Sequence, residues 1–173
     1  MVSLTASLKA PSTAGSYNLI WDVVHESVAW YSGLGAPILG VSGISVAASQ
    51  AKDVQWVSHN TPTILTANQQ VNVSVTLTNT GSQTWSKGGA NPVYISYHWL
   101  NASTGTVVVW NGLWSSLPLD IAPGQMVTLT ASLQSPLSAG SYNLMWDMVQ
   151  EGVGWFSGTG APVLGMSGIT VNP

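Results

Sequence analysis

The chain has 173 residues, of which 5% are charged and 45% hydrophobic, and it contains no cysteine. Its net charge is −3 and its only three basic residues are scattered lysines, so it lacks the basic cluster that nucleic-acid binding requires. No apolar run approaches the ~18 residues of a membrane span, so we expect no membrane insertion. An ordinary domain has about 25% charged residues, and a surface with so few charges has little repulsion to keep copies apart. The composition therefore favours association.

An internal repeat organises the sequence. Residues 1–46 align without a gap with residues 126–171, and roughly two-thirds of the aligned positions are identical. The period is a whole domain, so we predict a complete module at 53–173, the C-terminal half of another module at 1–46, and a linker at 47–52. Two interpretations of the half-module stay open. The missing half lies in adjoining sequence of a longer tandem array, or strands of a neighbouring chain complete it.

The complete module is predicted to be all-β. Four segments alternate apolar and polar residues with a period of two, which is typical of strands with one buried face. Their apolar positions are Val71, Val73, Val75, Leu77; Val93, Ile95, Tyr97, Trp99; Val127, Leu129, Ala131, Leu133; and Tyr142, Leu144, Trp146, Met148. Shorter strands are predicted near 54–57, 106–110 and 164–171, with turn signals between them. About seven short strands without a helical period predict an immunoglobulin-like antiparallel β-sandwich, here without a disulfide.

The half-module carries two predicted strands of the same kind. Half a sandwich exposes its core face and its unpaired strand edges to water, which is unstable. We therefore expect another subunit or further sequence to cover this face. The predicted assembly face consists of apolar residues from both strands: Val2, Leu4, Leu8, Tyr17, Leu19 and Trp21.

Several turn and aromatic positions resemble the four-tryptophan Ig-like domain, in the version found in bacterial surface proteins. The matching positions are Asn79-Thr80-Gly81 before Trp85, Ala122-Pro123-Gly124, Ser135-Pro136 before Gly140, and Tyr142–Trp146. The resemblance covers the complete module and part of residues 1–46. It implies an Ig-like core containing Trp85, Trp99, Trp146 and Trp155, and a role in protein contacts. No binding site carries over, because the match falls on core and turn positions.

The titratable residues do not predict an enzyme or a cofactor site. The pair Asp147 and Glu151 recurs as Asp22 and Glu26, and it has three interpretations: hydrogen bonds to a hairpin, a Ca²⁺-type site, or acid–base chemistry. Six acidic residues in the whole chain are few for a Ca²⁺ site, and His25 is replaced by Gln in the other copy. We therefore expect no metal, no cofactor and no catalysis.

Two surface features are candidate contact sites. Trp110 and Trp114 flank an Asn-Gly turn signal, and aromatic rings of this kind fold back on the sheet, contact a subunit or stack on a sugar. Asn72 and Asn101 begin N-glycosylation sequons. Together, the sequence predicts a structural repeat unit of an extracellular, cell-surface filament or stalk that binds further copies of itself and carries glycans. The alternative is a carbohydrate-binding or adhesion module of a larger secreted protein.

Overall fold

The computed structural model describes residues 3–11, 13–47 and 50–173, and the chain divides into two compact units, Met1–Ser49 and Gln50–Pro173. Apart from two short 3₁₀ turns, all the regular elements of the described residues are strands, so the protein is all-β. The predicted linker at 47–52 spans the division between the units. Its residues 48 and 49 lie outside the described residues.

The first unit contains two small antiparallel strand pairs. Its elements are β1 Gly15–Trp21, β2 Val24–His25, β3 Ala29–Trp30, a 3₁₀ turn Tyr31–Leu34, and β4 Leu39–Val46. Strand β1 pairs with β4, with a register shift between Tyr17 and Leu19, and β2 pairs with β3. None of the described residues of this unit is buried.

The second unit contains ten strands and a second 3₁₀ turn, Ser157–Thr159. The strands are β5 Val54–His59, β6 Ile64–Thr66, β7 Gln70–Asn79, β8 Val93–Asn101, β9 Val107–Val109, β10 Ser115–Ser116, β11 Met126–Gln134, β12 Gly140–Gln150, β13 Gly154–Trp155 and β14 Leu164–Asn172.

These strands form two sheets. The larger sheet has the order β10-β8-β12-β14-β6, with β9 also paired to β8 and β13 also paired to β12. The smaller sheet has the order β11-β7-β5. All pairs are antiparallel except β14 with β6, which is parallel. Buried side chains from both sheets form one hydrophobic core.

The four predicted apolar faces are confirmed as the centre of this core. Every residue of the four faces is buried except Val71, which is partly buried and packs against the core. The Trp85, Trp99 and Trp146 side chains are fully buried there. Trp155 is not in the core, because the neighbouring Phe156 occupies that place and Trp155 packs against His98 on the other face of the sheet.

Residues 3–11 differ from the expectation, because they form no strand although the alternation of Leu4, Ala6 and Leu8 predicts one. The equivalent strand β11 pairs along its whole length with β7, and the described residues of the first unit contain no equivalent of β7. An isolated strand has no partner for its backbone groups, which explains the loss of regular structure. The predicted Val2 lies outside the described residues.

The end of the predicted linker belongs to the second unit. The backbone N–H of Ser82 donates to the Gln50 carbonyl at 2.9 Å, and that of Gln83 donates to the Ala51 carbonyl at 3.2 Å. Gly81 is required here, because a Cβ at this position would lie 2.6 Å from the Ala51 oxygen. Residues 50 and 51 are therefore anchored on the second unit.

Candidate functional site

The predicted assembly face exposes apolar side chains whose equivalents in the second unit are buried. Leu4 is 89% exposed and its equivalent Leu129 is 5% exposed. Leu8 is 61% exposed, while its equivalent Leu133 is inaccessible to solvent. The same residue types thus have opposite environments in the two copies.

Strand β1 contributes the other three predicted residues of this face. Tyr17, Leu19 and Trp21 are each partly buried, whereas the equivalent residues of β12 lie in the core. Together with residues from the N-terminal segment and from β4, they line two open grooves of about 700 and 200 Å³. The larger groove is lined by Leu4, Ala6, Trp21, Asp22, Val23, Tyr31, Ala36, Pro37 and Leu39. Leu4, Leu8, Tyr17, Leu19 and Trp21 therefore line accessible apolar grooves.

Asp22 fixes the hairpin that follows β1. Its Oδ1 accepts hydrogen bonds from the backbone N–H of Val23 at 2.7 Å and of Ser32 at 3.2 Å, and its Oδ2 accepts one from the Ser32 hydroxyl. The Ser32 hydroxyl bond is the main reason that the pKa of Asp22 is lowered. Desolvation opposes it, and the two backbone bonds each add a smaller lowering effect. The hairpin interpretation of this carboxylate matches these contacts.

The equivalent Asp147 makes the same two backbone contacts but has a different third neighbour. Its Oδ1 accepts from the N–H of Met148 at 2.7 Å and of Ser157 at 3.3 Å. Its Oδ2 lies 3.5 Å from Nε2 of His98, and neither side chain is exposed. The Nδ1 of His98 contacts the Trp110 carbonyl, which can only accept, so Nδ1 carries a hydrogen. Nε2 of His98 and Oδ2 of Asp147 therefore face each other inside the protein, and neither atom has a hydrogen-bond partner among the described residues.

This His98–Asp147 pair was not predicted from the sequence. The alternation of β8 and β12 places both residues on the face opposite the core, which predicts exposure rather than burial. The two residues become neighbours because β8 pairs with β12, with Ser96 opposite Asp147. A cover of aromatic rings then buries the pair: Trp110 stacks on His98 at 4.0 Å between ring centroids, and Trp155 meets His98 edge-on at 4.3 Å.

The predicted contact residues Trp110 and Trp114 are about half exposed, at 46% and 43%. They pack on different neighbours of the same sheet face, Trp110 on His98 and Trp114 on Tyr94 at 5.2 Å. Gly112 between them fits closely over Tyr97, because a Cβ there would lie 2.6 Å from the Tyr97 ring. The segment is thus folded back on β8 and leaves both indoles partly accessible to solvent.

The two sequon asparagines have different surroundings. Asn72 is exposed on β7. Asn101 is partly buried at the end of β8, and its Oδ1 accepts bonds from the N–H of Ser103 and Thr104, both at 3.0 Å, and from the Ser103 hydroxyl at 2.8 Å. Asn101 therefore stabilises a turn, whereas the Asn72 amide is directed away from the core.

The remaining carboxylate of the recurring pair, Glu151, accepts a hydrogen bond from the Tyr94 hydroxyl at 3.2 Å. Desolvation, followed by this bond and the negative charge of Glu151, raises the pKa of Tyr94. Over residues 3–11, 13–47 and 50–173, His, Asp and Glu side chains form no group of three that could hold a metal ion. In the same ranges, no helix has the length and apolar character to cross a membrane.

Comparisons with known proteins give no family. No family model matches the chain, and no curated protein matches it. Among solved structures, a β-glucosidase from Listeria innocua in complex with glucose aligns over 76% of this chain at 15% identity with a TM-score of 0.39. A β-glucosidase from Kluyveromyces marxianus aligns over 75% at 10% identity and 0.35, and the putative ApaA protein from Bordetella pertussis over 72% at 19% identity and 0.28.

The coverage of these structures differs. The aligned part of this chain spans 17% of the Listeria β-glucosidase, 15% of the Kluyveromyces β-glucosidase and 98% of the ApaA chain. At these TM-scores the likenesses carry no argument about function.

Proposed function

We propose that this protein is a non-enzymatic structural repeat unit of an extracellular, cell-surface filament or stalk, built from tandem Ig-like β-sandwich modules that join head to tail through strand faces and edges. The observation that carries the proposal is the contrast between the two copies of the repeat. Residues that are buried in the second unit are exposed in the first, although the sequence that surrounds them is nearly the same. A face of this kind is stable when another polypeptide covers it.

Two further observations support the architecture. In the second unit, two sheets share one core that contains Trp85, Trp99 and Trp146, three of the four tryptophans that the resemblance to four-tryptophan Ig-like domains places there. The low charge of the chain favours contact between modules. Glycans on Asn72 and Asn101 are part of the proposal, because they would supply the hydration that charged residues give to ordinary surfaces.

Assembly is tested by negative-stain microscopy and by mass determination of the protein from its native source. We expect regular filaments or stalks, and sugar mass that is lost from the variants Asn72→Gln and Asn101→Gln. Discrete monomers without any assembly contradict the proposal.

The recombinant full chain gives a sharper test, because the face can be changed at exposed positions. The double variant Leu4→Asp/Leu8→Asp places charges on the face without disturbing a core, and we expect it to lose self-association or binding to neighbouring modules. Leu137→Asp is the matched control, because Leu137 is 79% exposed in the second unit. Equal association of both variants in sedimentation velocity contradicts a role for the face.

The alternative function, carbohydrate binding, is favoured by one observation: Trp110 and Trp114 each present an accessible indole supported by another ring. Aromatic rings held in this way can stack on sugars. If this function holds, Trp110→Ala and Trp114→Ala abolish binding to soluble oligosaccharides. Trp30→Ala, at a tryptophan of the first unit that is at least as exposed, leaves binding unchanged.

A further inference from the structure

The two copies of the repeat share one hairpin geometry. Strands β1 and β4 pair from Gly15 with Val46 to Trp21 with Leu39, and β12 and β14 pair from Gly140 with Val171 to Trp146 with Leu164. The register shift occurs at the same place in both, after Tyr17 and after Tyr142. The β1–β4 pair of the first unit is therefore a copy of the β12–β14 pair of the second unit's larger sheet.

The other edge of this hairpin is occupied in one copy only. In the second unit, β8 pairs with β12 along nine residues, from Tyr142 with Asn101 to Gln150 with Val93. In the described part of the first unit, β1 pairs with β4 alone. The free backbone groups of β1 therefore form a template for one more strand, next to the apolar grooves.

The contacts of Asp22 indicate which side chain the missing strand would place beside it. Its two backbone contacts are the same as those of Asp147, but its Oδ2 accepts a bond from its own Ser32 hydroxyl, where the Oδ2 of Asp147 faces His98 on β8. The carboxylate is thus held in position for a cationic or proton-donating side chain from the neighbouring strand.

Resting on the proposed function, we propose that the free edge of β1 binds, in antiparallel register, a β8-type strand from a segment of a separate partner polypeptide, with the histidine of that strand against Asp22. In this register the position equivalent to Ser96 lies opposite Asp22, and the position equivalent to Tyr97 lies opposite Trp21. The segment has the pattern of residues 53–125, the part of the repeat that residues 1–46 lack.

An intact second copy does not fit this edge. Its β8 is already paired on both sides, with β12 on one side and with β9 and β10 on the other. Each copy of residues 1–173 also contains two segments of the 126–171 type and only one of the 53–125 type. Strand exchange among such copies always leaves one edge open in each copy, so a second copy of residues 1–173 is not the proposed occupant.

Disulfide trapping on the full chain tests this register, because the protein has no cysteine of its own. Val24 is the equivalent of Val149, which pairs with Tyr94. We expect the variant Val24→Cys to capture a synthetic peptide of residues 90–103 that carries Tyr94→Cys. The same peptide with Ile95→Cys instead directs its thiol to the opposite face and should react on the order of tenfold more slowly.

A matched pair of substitutions, Asp22→Asn and Glu26→Gln, tests the role of the Asp22 carboxylate. Added to Val24→Cys, the substitution Asp22→Asn should weaken capture about tenfold, the change expected for one lost hydrogen bond to a charged group. Glu26→Gln makes the same change of charge at an exposed acid and should have no effect. The Val24→Cys variant should capture a peptide that carries both Tyr94→Cys and His98→Phe only weakly. The capture should be as weak as that of the Tyr94→Cys peptide by the Val24→Cys/Asp22→Asn variant.

The outcomes separate this inference from the proposed function. Equal capture of the two cysteine peptides overturns the proposed strand register, and equal effects of Asp22→Asn and Glu26→Gln overturn the histidine contact. Full chain that assembles by itself and excludes the peptide shows that another copy covers the edge, which refutes the inference and preserves the proposed function. If the chain shows no assembly and captures no peptide, both the inference and the proposed function are refuted.

Discussion

Leu133 and Leu8 occupy equivalent positions of the repeat, so truncating each to Ala measures how far the first unit lacks a core of its own. Leu133 is fully buried among core residues. Removing a buried Leu side chain in this way costs about 2–5 kcal/mol, because the lost transfer energy adds to the cost of the cavity. Leu8 is 61% exposed, so Leu8→Ala should cost less than about 1 kcal/mol.

Urea denaturation of the full chain measures the difference, with tryptophan fluorescence reporting both units, because Trp85, Trp99 and Trp146 lie in the second unit and Trp21 and Trp30 lie in the first. With m of about 1–3 kcal/mol/M, a loss of 3 kcal/mol lowers the midpoint by roughly 1–3 M. We expect such a shift for Leu133→Ala and almost none for Leu8→Ala. Similar shifts for the two variants would refute the reasoning, because they would mean that Leu8 is already buried in the isolated chain.

Three further predictions concern the second unit. Gly112→Ala forces a methyl group into the Tyr97 ring and should lower the melting temperature by several degrees, about 1–3 kcal/mol, whereas Gly88→Ala, where nothing lies within 4 Å, should be close to neutral. Asn79 is buried and its side chain bonds the carbonyls of two residues and the N–H of a third, so Asn79→Ala should cost about 3 kcal/mol or more in urea unfolding. The exposed Asn72→Ala on the same strand should cost under about 0.5 kcal/mol. Burial is the main cause of the raised pKa of Tyr97, so stability should fall as pH rises above about 10, where the unfolded chain loses its proton first; an unchanged urea midpoint through this range contradicts the assignment.

The central strands were predictable because each has one face in a single core. In β7, β8, β11 and β12 the period-two alternation is long enough to identify both the strand and its buried residues. Strands β6 and β10 have three and two residues and are defined by pairing with segments that are distant in sequence. Strand β13 has two residues and pairs with the end of β12, and a strand so short shows no alternation that would reveal it. For the same reason the parallel pairing of β6 with β14 could not be predicted.

Among the candidate sites too, features set by a local pattern were predictable and features set by pairing with other strands were not. The residues of the proposed assembly face follow from the alternation within the half-module, and each has an equivalent in a core strand of the complete module. The strand predicted over residues 3–11 failed for the complementary reason: its alternation is present, but the partner that would make it a strand is not. The His98–Asp147 pair depends on the register of β8 with β12 and on the indoles that cover it, and neither is encoded in the neighbourhood of either residue.

The hairpin of the first unit keeps its geometry without a core because its own side chains hold it. Asn18 accepts the Gly43 N–H at 3.3 Å, as Asn143 accepts that of Gly168 at 3.1 Å. The Tyr17 hydroxyl donates to the Thr13 carbonyl four residues upstream at 2.8 Å, and the equivalent Tyr142 does the same at 2.9 Å. Since these local bonds and those of Asp22 are present before any partner arrives, the incoming strand has to order little besides itself. Pre-organisation of this kind lowers the entropic cost of association, so edge pairing and burial of Leu4 and Leu8 can act almost entirely as binding energy. In the proposed assembly, the exposed apolar residues of the first unit therefore favour association with a partner strand.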